Sequence, residues 1–132
     1  MVDAKHRATT TQDVKRYRRD QKYHVRQRYI YALVFPGACY IGQSVNPERR
    51  FNQHQNDPAW LGRVATAQLV ILHQLEGTFK QAEHFEFSYR LKAARRGLRI
   101  YGLPCVFIRP NRQANWRHWW SSLWIRWPSA IR

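Results

Sequence analysis

Tyr29, Tyr31 and Tyr40 stand within a dozen residues of one another in YIYALVFPGACYIGQS, and the basic word RRFNQH follows almost at once. A hairpin needs no tyrosine at such places, whereas a phenol can hold or move a proton. Arg50 and His54 are four apart, so a helix would carry both on one face. A guanidinium clamps a phosphate with its planar fork of donors. A neutral imidazole accepts a proton near neutral pH, and a charged one binds a phosphate oxygen. The plainer account of an arginine–histidine pair is a solvated basic face, and for this pair taken alone it has the better claim.

Phe79, Ala82, Glu86, Tyr89 and Ala93 recur at helical spacing further on. Glu86 therefore interrupts an apolar, core-facing row, where a charge needs a partner or a metal. The plain alternative is that it snorkels or pairs with Arg90. Glu83 lies on another stripe with Phe87, Leu91 and Ala94, so periodicity alone does not choose between the two carboxylates. The chain has only eight side-chain carboxylates. That is poor material for a two-metal nuclease site. One metal on one Glu, with Tyr, Arg and His for the rest, remains open.

The elements that must position these groups are legible in outline. YIYALVF, 29–35, has strand composition, Pro36–Gly37 signals a turn, and CYIGQ returns over 39–43. Asn46 fits a cap and Pro47 the first position of a helix running PERRFNQHQ. A short helix is expected around 60–66 and a buried strand in QLVILHQLE. Thr78 caps a long helix from Phe79 to Arg96, which Gly97 ends. PCVFIRP reads as a last strand or extended edge, and QANWRHWWSSLWIRW as a helix. A further helix fits TTQDVKRYRRDQKYHVRQR, 10–28. This order predicts a small α+β domain, with helices on a three- to four-stranded antiparallel or mixed sheet. The expected division is a basic N-terminal extension over 1–28, the domain over 29–110, and a Trp/Arg-rich helix over 111–132. Trp116, Trp120, Leu123, Trp124 and Trp127 fall on one row of that helix, beside Trp119. A docked helix burying its large rings is the first expectation. A homodimer contact and stacking on single-stranded bases are the others.

Charge is distributed in blocks. Residues 1–28 hold nine basic residues against three acidic ones, residues 29–89 four against five, and residues 90–132 ten against none. The formal net charge is +15. Two cationic flanks around a near-neutral centre point to a polyanion, and interleaved aromatics suit nucleic acid. No apolar run approaches the roughly 18 residues of a membrane span. MVDAKHRATT carries no hydrophobic stretch, which argues against a secretory leader and for a cytoplasmic protein located with its nucleic acid. Cys39 and Cys105, the two cysteines, frame neither a disulfide scaffold nor a four-ligand zinc site.

Taken in order, YIY, YIGQS, RRFNQH, AEHFE and a following Gly97 resemble the GIY-YIG nuclease superfamily, over roughly residues 29–102. Ala82, Glu86, Tyr89 and Gly97 match the family's pattern around its metal-binding glutamate, which the resemblance puts at Glu86 with Glu83 in reserve. Two departures stand out. Tyr29 occupies the first glycine of the family's opening word, and RIYGLPC lacks the asparagine usual after the last helix. Asn111 or Asn115 are the substitutes at hand.

The resemblance implies a metal-dependent endonuclease that hydrolyses DNA. Tyr31 and Tyr40 would position and deprotonate the attacking water, with Tyr31 the preferred base. Arg50 would stabilise charge on the phosphate, and His54 would relay the proton of Tyr31 or contact the phosphate. Glu86 would hold one Mg²⁺ or Mn²⁺. Gly42 would let the substrate approach the backbone, with Arg49, Lys15, Arg16, Arg18, Arg19, Arg95 and Arg96 on the nucleic acid. The different-class alternative is an inactive binding module, or one directed at RNA or single strands, that uses only the basic flanks.

Overall fold

The computed structural model describes residues 23–112, 114–129 and 131. Within them lies an α+β domain with one mixed sheet of five strands and three α-helices. The strands are β1 (Arg26–Phe35), β2 (Ala38–Ser44), β3 (Gln68–Gly77), β4 (Arg99–Leu103) and β5 (Val106–Ile108). The helices are α1 (Pro47–Gln55), α2 (Phe79–Arg95) and α3 (Trp116–Trp124). Their sheet order is β3-β1-β2-β4-β5. Every neighbouring pair is antiparallel except β2 and β4, which run parallel.

Local chemistry explains most of these boundaries. Phe35 pairs with Ala38 across a two-residue turn, where Pro36 presets its backbone and Gly37 takes φ +70°. The Arg99 N–H donates to Gly37 O (3.0 Å) and ties this turn to the start of β4. Asn46 Oδ1 accepts from the Arg49 N–H (3.1 Å), and Pro47 opens α1 without losing a helical hydrogen bond. Thr78 and Gln81 form a reciprocal capping box at the start of α2, and Gly97 leaves its end at φ +88°.

β1 is central and covered on both faces, which is why YIYALVF is apolar without alternation. Ile30 and Ala32 face α2 with Cys39, Ile41, Ala82, Tyr89 and Ala93. Tyr31, Leu33 and Phe35 face the other way, into a cluster with Trp60, Val64 and Tyr101. Leu72 makes a bulge in β3 opposite Ile30 and Tyr31, and its carbonyl accepts from Tyr89 Oη (3.1 Å).

The structure departs from the sequence expectations at four places. The sheet has five strands rather than three to four, because RIYGL forms β4 where no strand is expected from the sequence. Residues 60–66 form no single helix but belong to two 3₁₀ turns, Pro58–Trp60 and Arg63–Thr66. Arg26–Arg28 open β1 rather than close an N-terminal helix. Arg28 is buried there, its Nε–H donating to Gly77 O (2.9 Å). The remainder of that expected helix, with Lys15, Arg16, Arg18 and Arg19, lies outside the described residues.

The fourth departure concerns the tryptophans. α3 packs against α2, yet Trp116, Trp119, Trp120 and Trp124 are all exposed. Of the expected row only Trp127, beyond the helix end, is buried. α3 docks instead through its small and polar side. His84 Nε2 lies 2.8 Å from Ser121 Oγ, Ser122 is fully buried, and His118 packs on His84 and Phe87. No helix among the described residues is long and apolar enough to cross a membrane.

Candidate active site at the hairpin tyrosines

The β1–β2 register decides which side chains meet. Tyr31 pairs with Gly42 and Leu33 with Tyr40, so the two phenols lie diagonally on one face, ring centroids 6.3 Å apart. Gly42 sits beneath them. A Cβ there would lie 2.9 Å from Tyr31 Oη and 3.1 Å from Tyr40 Cε1. The glycine of YIG is therefore needed because two phenols occupy the space over its Cα. This is a local steric reason, where a close approach by substrate was expected.

α1 delivers His54 into the same cluster. Tyr31 Oη and His54 Nε2 are 2.9 Å apart, and both side chains are buried. The other imidazole nitrogen, Nδ1, accepts from Trp60 Nε1–H at 3.1 Å. An indole N–H can only donate, so Nδ1 must be bare and the single proton of neutral His54 must sit on Nε2. His54 then donates to Tyr31. The Tyr31 O–H is left to point elsewhere, and its neighbour Tyr40, with ring centroids 6.3 Å apart, is the phenol whose anion it favours. The donors run in one direction, Trp60 to His54 and His54 to Tyr31, with Tyr40 beside the end of the chain.

This direction corrects two expectations. His54 Nε2 already carries a proton, so it cannot take one from Tyr31. Both its nitrogens are engaged and the ring is 5% exposed, so it does not meet a phosphate either. Tyr31, at 1% exposure, is the inner phenol, whereas Tyr40 is partly exposed at the end of the chain. An anion at Tyr40 would be met by the aligned O–H of Tyr31. Of the two phenols, Tyr40 is the one this arrangement leaves open to solvent.

Electrostatics follow the same order. Burial pushes the Tyr31 phenol well above its ordinary value, and charge on Tyr40 adds to the rise, while Arg50 opposes it by charge and hydrogen bonding. Tyr40 is also raised, by burial first and by Glu86 second, and is relieved by Arg90, Arg50 and its hydrogen bond from Tyr31. Burial and the charge of Arg50 lower His54, against a smaller opposite pull from Asp57. His54 is thereby held in the neutral form that the Trp60 bond requires.

Glu86 stands on α2, on the face of the sheet opposite the phenols, and is held there by Arg90 and Gln43. Its charge acts on both Tyr31 and Tyr40. Arg90 Nη2–H donates to Glu86 Oε1 (2.5 Å) and also to Ile41 O (3.0 Å). Gln43 Nε2–H donates to Glu86 Oε2 (3.2 Å). Burial raises the Glu86 carboxyl above its usual range, opposed first by Arg90 and then by the Gln43 bond. Glu83 acts instead on His118, toward α3. Placement thus favours Glu86 where periodicity left two candidates.

A hard divalent cation takes oxygen ligands and keeps several waters. Glu86 still has unused lone pairs, its side chain is 13% exposed, and Gln43 Oε1 is buried with no hydrogen-bond partner. One carboxylate with one orphaned amide oxygen fits a single ion of that kind. No group of three His, Cys, Asp or Glu stands together among the described residues.

The remaining expected residues divide. Arg50 is exposed, at the mouth of the tyrosine cluster, with Nη1–H donating to Gln53 Oε1 (3.0 Å). Arg49 is exposed on the same helix. Arg95 and Arg96 are exposed at the far end of α2, about 13 Å or more along its axis from Glu86. Asn115 caps α3, accepting from the Arg117 and His118 N–H groups, and Asn111 lies in a 3₁₀ turn beside Arg95. Neither asparagine supports the tyrosines.

Trp60 and Gln43 are the two site residues that the sequence reading missed. The one signal for Trp60 was Asp57-Pro58, which caps a 3₁₀ turn with Asp57 Oδ1 accepting from the Ala59 N–H (2.9 Å). Gln43 stands two residues after Ile41, on the opposite face of β2 from Tyr40, and its spacing alone marked nothing. Comparison with protein-family models, with curated proteins and with solved structures finds no match to this chain.

Proposed function

We propose that the chain is a metal-dependent endonuclease that hydrolyses phosphodiester bonds in DNA, with a GIY-YIG-like arrangement of Tyr31, Tyr40, Arg50, His54 and Glu86. The observation that carries this reading is the directed chain from Trp60 through His54 to Tyr31, with Tyr40 and an exposed Arg50 beside it. A purely structural hairpin has no need of two aligned donors that end at a buried phenol beside a second, partly exposed one.

Each residue then has a role. Tyr40 first gives its own proton to solvent, and the neighbouring Tyr31 and His54 donors favour that phenolate, which then takes the proton of the attacking water. Arg50 binds a phosphate oxygen and lowers the cost of charge on both phenols. Glu86 and Gln43 would hold the divalent ion, which supplies Lewis-acid polarisation of the phosphate when bound. Arg90 keeps the Glu86 carboxylate oriented. DNA, Mg²⁺ or Mn²⁺, and a location with the nucleic acid all belong to this same proposal.

The test is cleavage of plasmid and of labelled single- and double-stranded oligonucleotides, with Mg²⁺ or EDTA, beside Glu86→Ala and Tyr40→Phe. Metal-dependent cleavage lost in both variants is the expected result. Cleavage that persists in Tyr40→Phe but disappears in Tyr31→Phe returns the base to Tyr31. The Glu86–Arg90 ion pair specifically favours a second reading, because it already neutralises the carboxylate. On that reading the domain binds nucleic acid without hydrolysing it, and every substrate is bound but none is cut.

A further inference from the structure

α3 turns its aromatic side away from the domain. Trp116, Trp120 and Trp124 follow at i, i+4 and i+8 and are 66%, 51% and 80% exposed. Rings of this size rarely stay in water in a monomeric protein without a partner. Trp119, beside this row, has the Arg95 guanidinium 5.1 Å over its ring. It also borders a cavity of about 710 Å³ between α2 and the β4–β5 edge. Leu98 and Phe107 contribute to the apolar lining of that cavity, and Arg95, Arg99 and Arg109 bring positive charge to it. The volume falls within the range of small-ligand pockets, roughly 300–1,000 Å³. Arg99 stacks on Phe107 at 3.8 Å, so a planar cation lies against an aromatic ring here as at Trp119.

Charge selects the occupant. Residues 90–132 hold ten basic residues and no acidic one. A second copy of the chain would bring the same charge to the same face and be repelled, as would the basic residues 1–28 of the chain itself. A base-paired duplex offers phosphates but hides the faces of its bases. Exposed rings interleaved with arginines match a strand whose bases are free to stack. We infer that α3 and the adjoining cavity form a docking surface for single-stranded nucleic acid. Bases stack on Trp116, Trp120 and Trp124, one unpaired base enters the cavity past Trp119, and Arg95, Arg99 and Arg109 take the phosphates. This inference is separate from the hydrolytic reading, since binding here needs neither Glu86 nor a metal.

The test is fluorescence anisotropy on the full chain in EDTA, with a labelled oligothymidylate of about twenty nucleotides and a duplex of equal length. Trp120→Ala and Trp124→Ala are each expected to weaken single-strand binding by about 5- to 100-fold and to leave duplex binding unchanged. Trp124→Phe, which keeps a stacking ring, should recover most of the loss. The intrinsic tryptophan fluorescence should be quenched on binding. Arg95→Gln with Arg109→Gln should flatten the salt dependence, by about one unit of slope for each phosphate that the protein no longer neutralises. Both alanine variants remove exposed rings, and an unchanged melting temperature confirms that each folds. The inference is overturned if both variants bind the oligothymidylate like the parent chain. It is equally overturned if they lose only binding to phosphatidylglycerol vesicles, or if they lose only self-association in sedimentation.

Discussion

Gly42→Ala tests the steric basis of the tyrosine cluster. Gly42 lies in extended β2 backbone, so alanine brings no dihedral strain there. The whole effect must come from its methyl group, placed 2.9 Å from Tyr31 Oη, 3.1 Å from Tyr31 Cζ and 3.1 Å from Tyr40 Cε1. Ordinary contact begins near 3.4 Å, so the Tyr31 hydroxyl must yield by about half an ångström. It cannot swing freely, because Tyr31 is buried and bonded to His54 at 2.9 Å. Overpacking of this kind costs about 1–3 kcal/mol. The reduced freedom of the unfolded chain returns about 0.4–1 kcal/mol of that. A net loss of about 1–2 kcal/mol is expected in urea denaturation at unchanged m-value. Misplacement by an ångström costs on the order of a hundredfold in rate, so half of that predicts roughly a tenfold loss of cleavage. The decisive measurement is a double-mutant cycle with Tyr31→Phe. Removing the hydroxyl removes the closest contact, so the two changes should couple by about 0.5–2 kcal/mol. Strict additivity, or a Gly42→Ala protein as stable and active as its parent, would refute the steric argument.

Three other outcomes follow from the same structure. Trp60→Phe removes the donor to His54 Nδ1; it should cost about 1 kcal/mol for the hydrogen bond plus some packing, and imidazole ¹⁵N NMR should show a mixture of tautomers and a raised His54 pKa. Burial holds His54, His73, His84 and His118 below the ordinary imidazole value of 6.5, so the folded chain binds fewer protons than the unfolded one there. Stability should therefore be fully present above pH 6.5 and fall as pH drops below it, a trend that denaturant titrations across that range would show. Thr78→Ala breaks the capping box of α2 and should cost about 1 kcal/mol in urea denaturation while the tyrosine ultraviolet titration stays unchanged, since the Thr78 hydroxyl accepts from the Gln81 N–H within the cap and not from either phenol.

The sequence was most readable where the physics is local. Asn46 with Pro47, Thr78 with Gln81, and Pro36 with Gly37 each set a boundary through their own backbone demands, and α1 spans the expected residues. β4 escaped because its reason is distant: RIYGL is short, begins with Arg99 and contains Gly102, and it becomes a strand by pairing with β2 some sixty residues earlier in the chain. Arg26 and Arg28 were counted with the basic flank because charge is visible in a sequence and a buried hydrogen bond to Gly77 O is not. α3 was misjudged for a related reason. Helical spacing shows that the tryptophans share a side, but which side docks depends on what α2 presents, and α2 presents His84 and Phe87 to Ser121 and His118. Of the candidate site, the sequence singles out Tyr31, Tyr40, Arg50, His54 and Glu86, and the structure brings the first four together. Trp60 was not, because its part is to fix a tautomer, and a tautomer depends on a contact between two elements.

That one contact decides how the candidate site can handle protons. With Nδ1 bare, His54 is a donor to Tyr31 and can be nothing else until the Trp60 bond breaks. Tyr31 is consequently an acceptor toward His54, its own O–H is left to turn toward Tyr40, and each link polarises the next in a largely buried setting. Burial alone would make both phenols poor acids, and it raises both. The aligned donors act against burial at one atom only, Tyr40 Oη, because only the end of such a chain accepts without donating onward. The inner tyrosine then gains nothing from its partial isolation except rigidity, while the outer one gains a preorganised set of donors that need not reorient when it loses its proton. On this reasoning Tyr31→Phe and Tyr40→Phe are not equivalent. The first lengthens the gap between His54 and Tyr40 and raises the phenol that remains, so cleavage should weaken and its pH profile should move to higher pH. The second removes the only atom on which the chain converges, so cleavage should be lost at every pH.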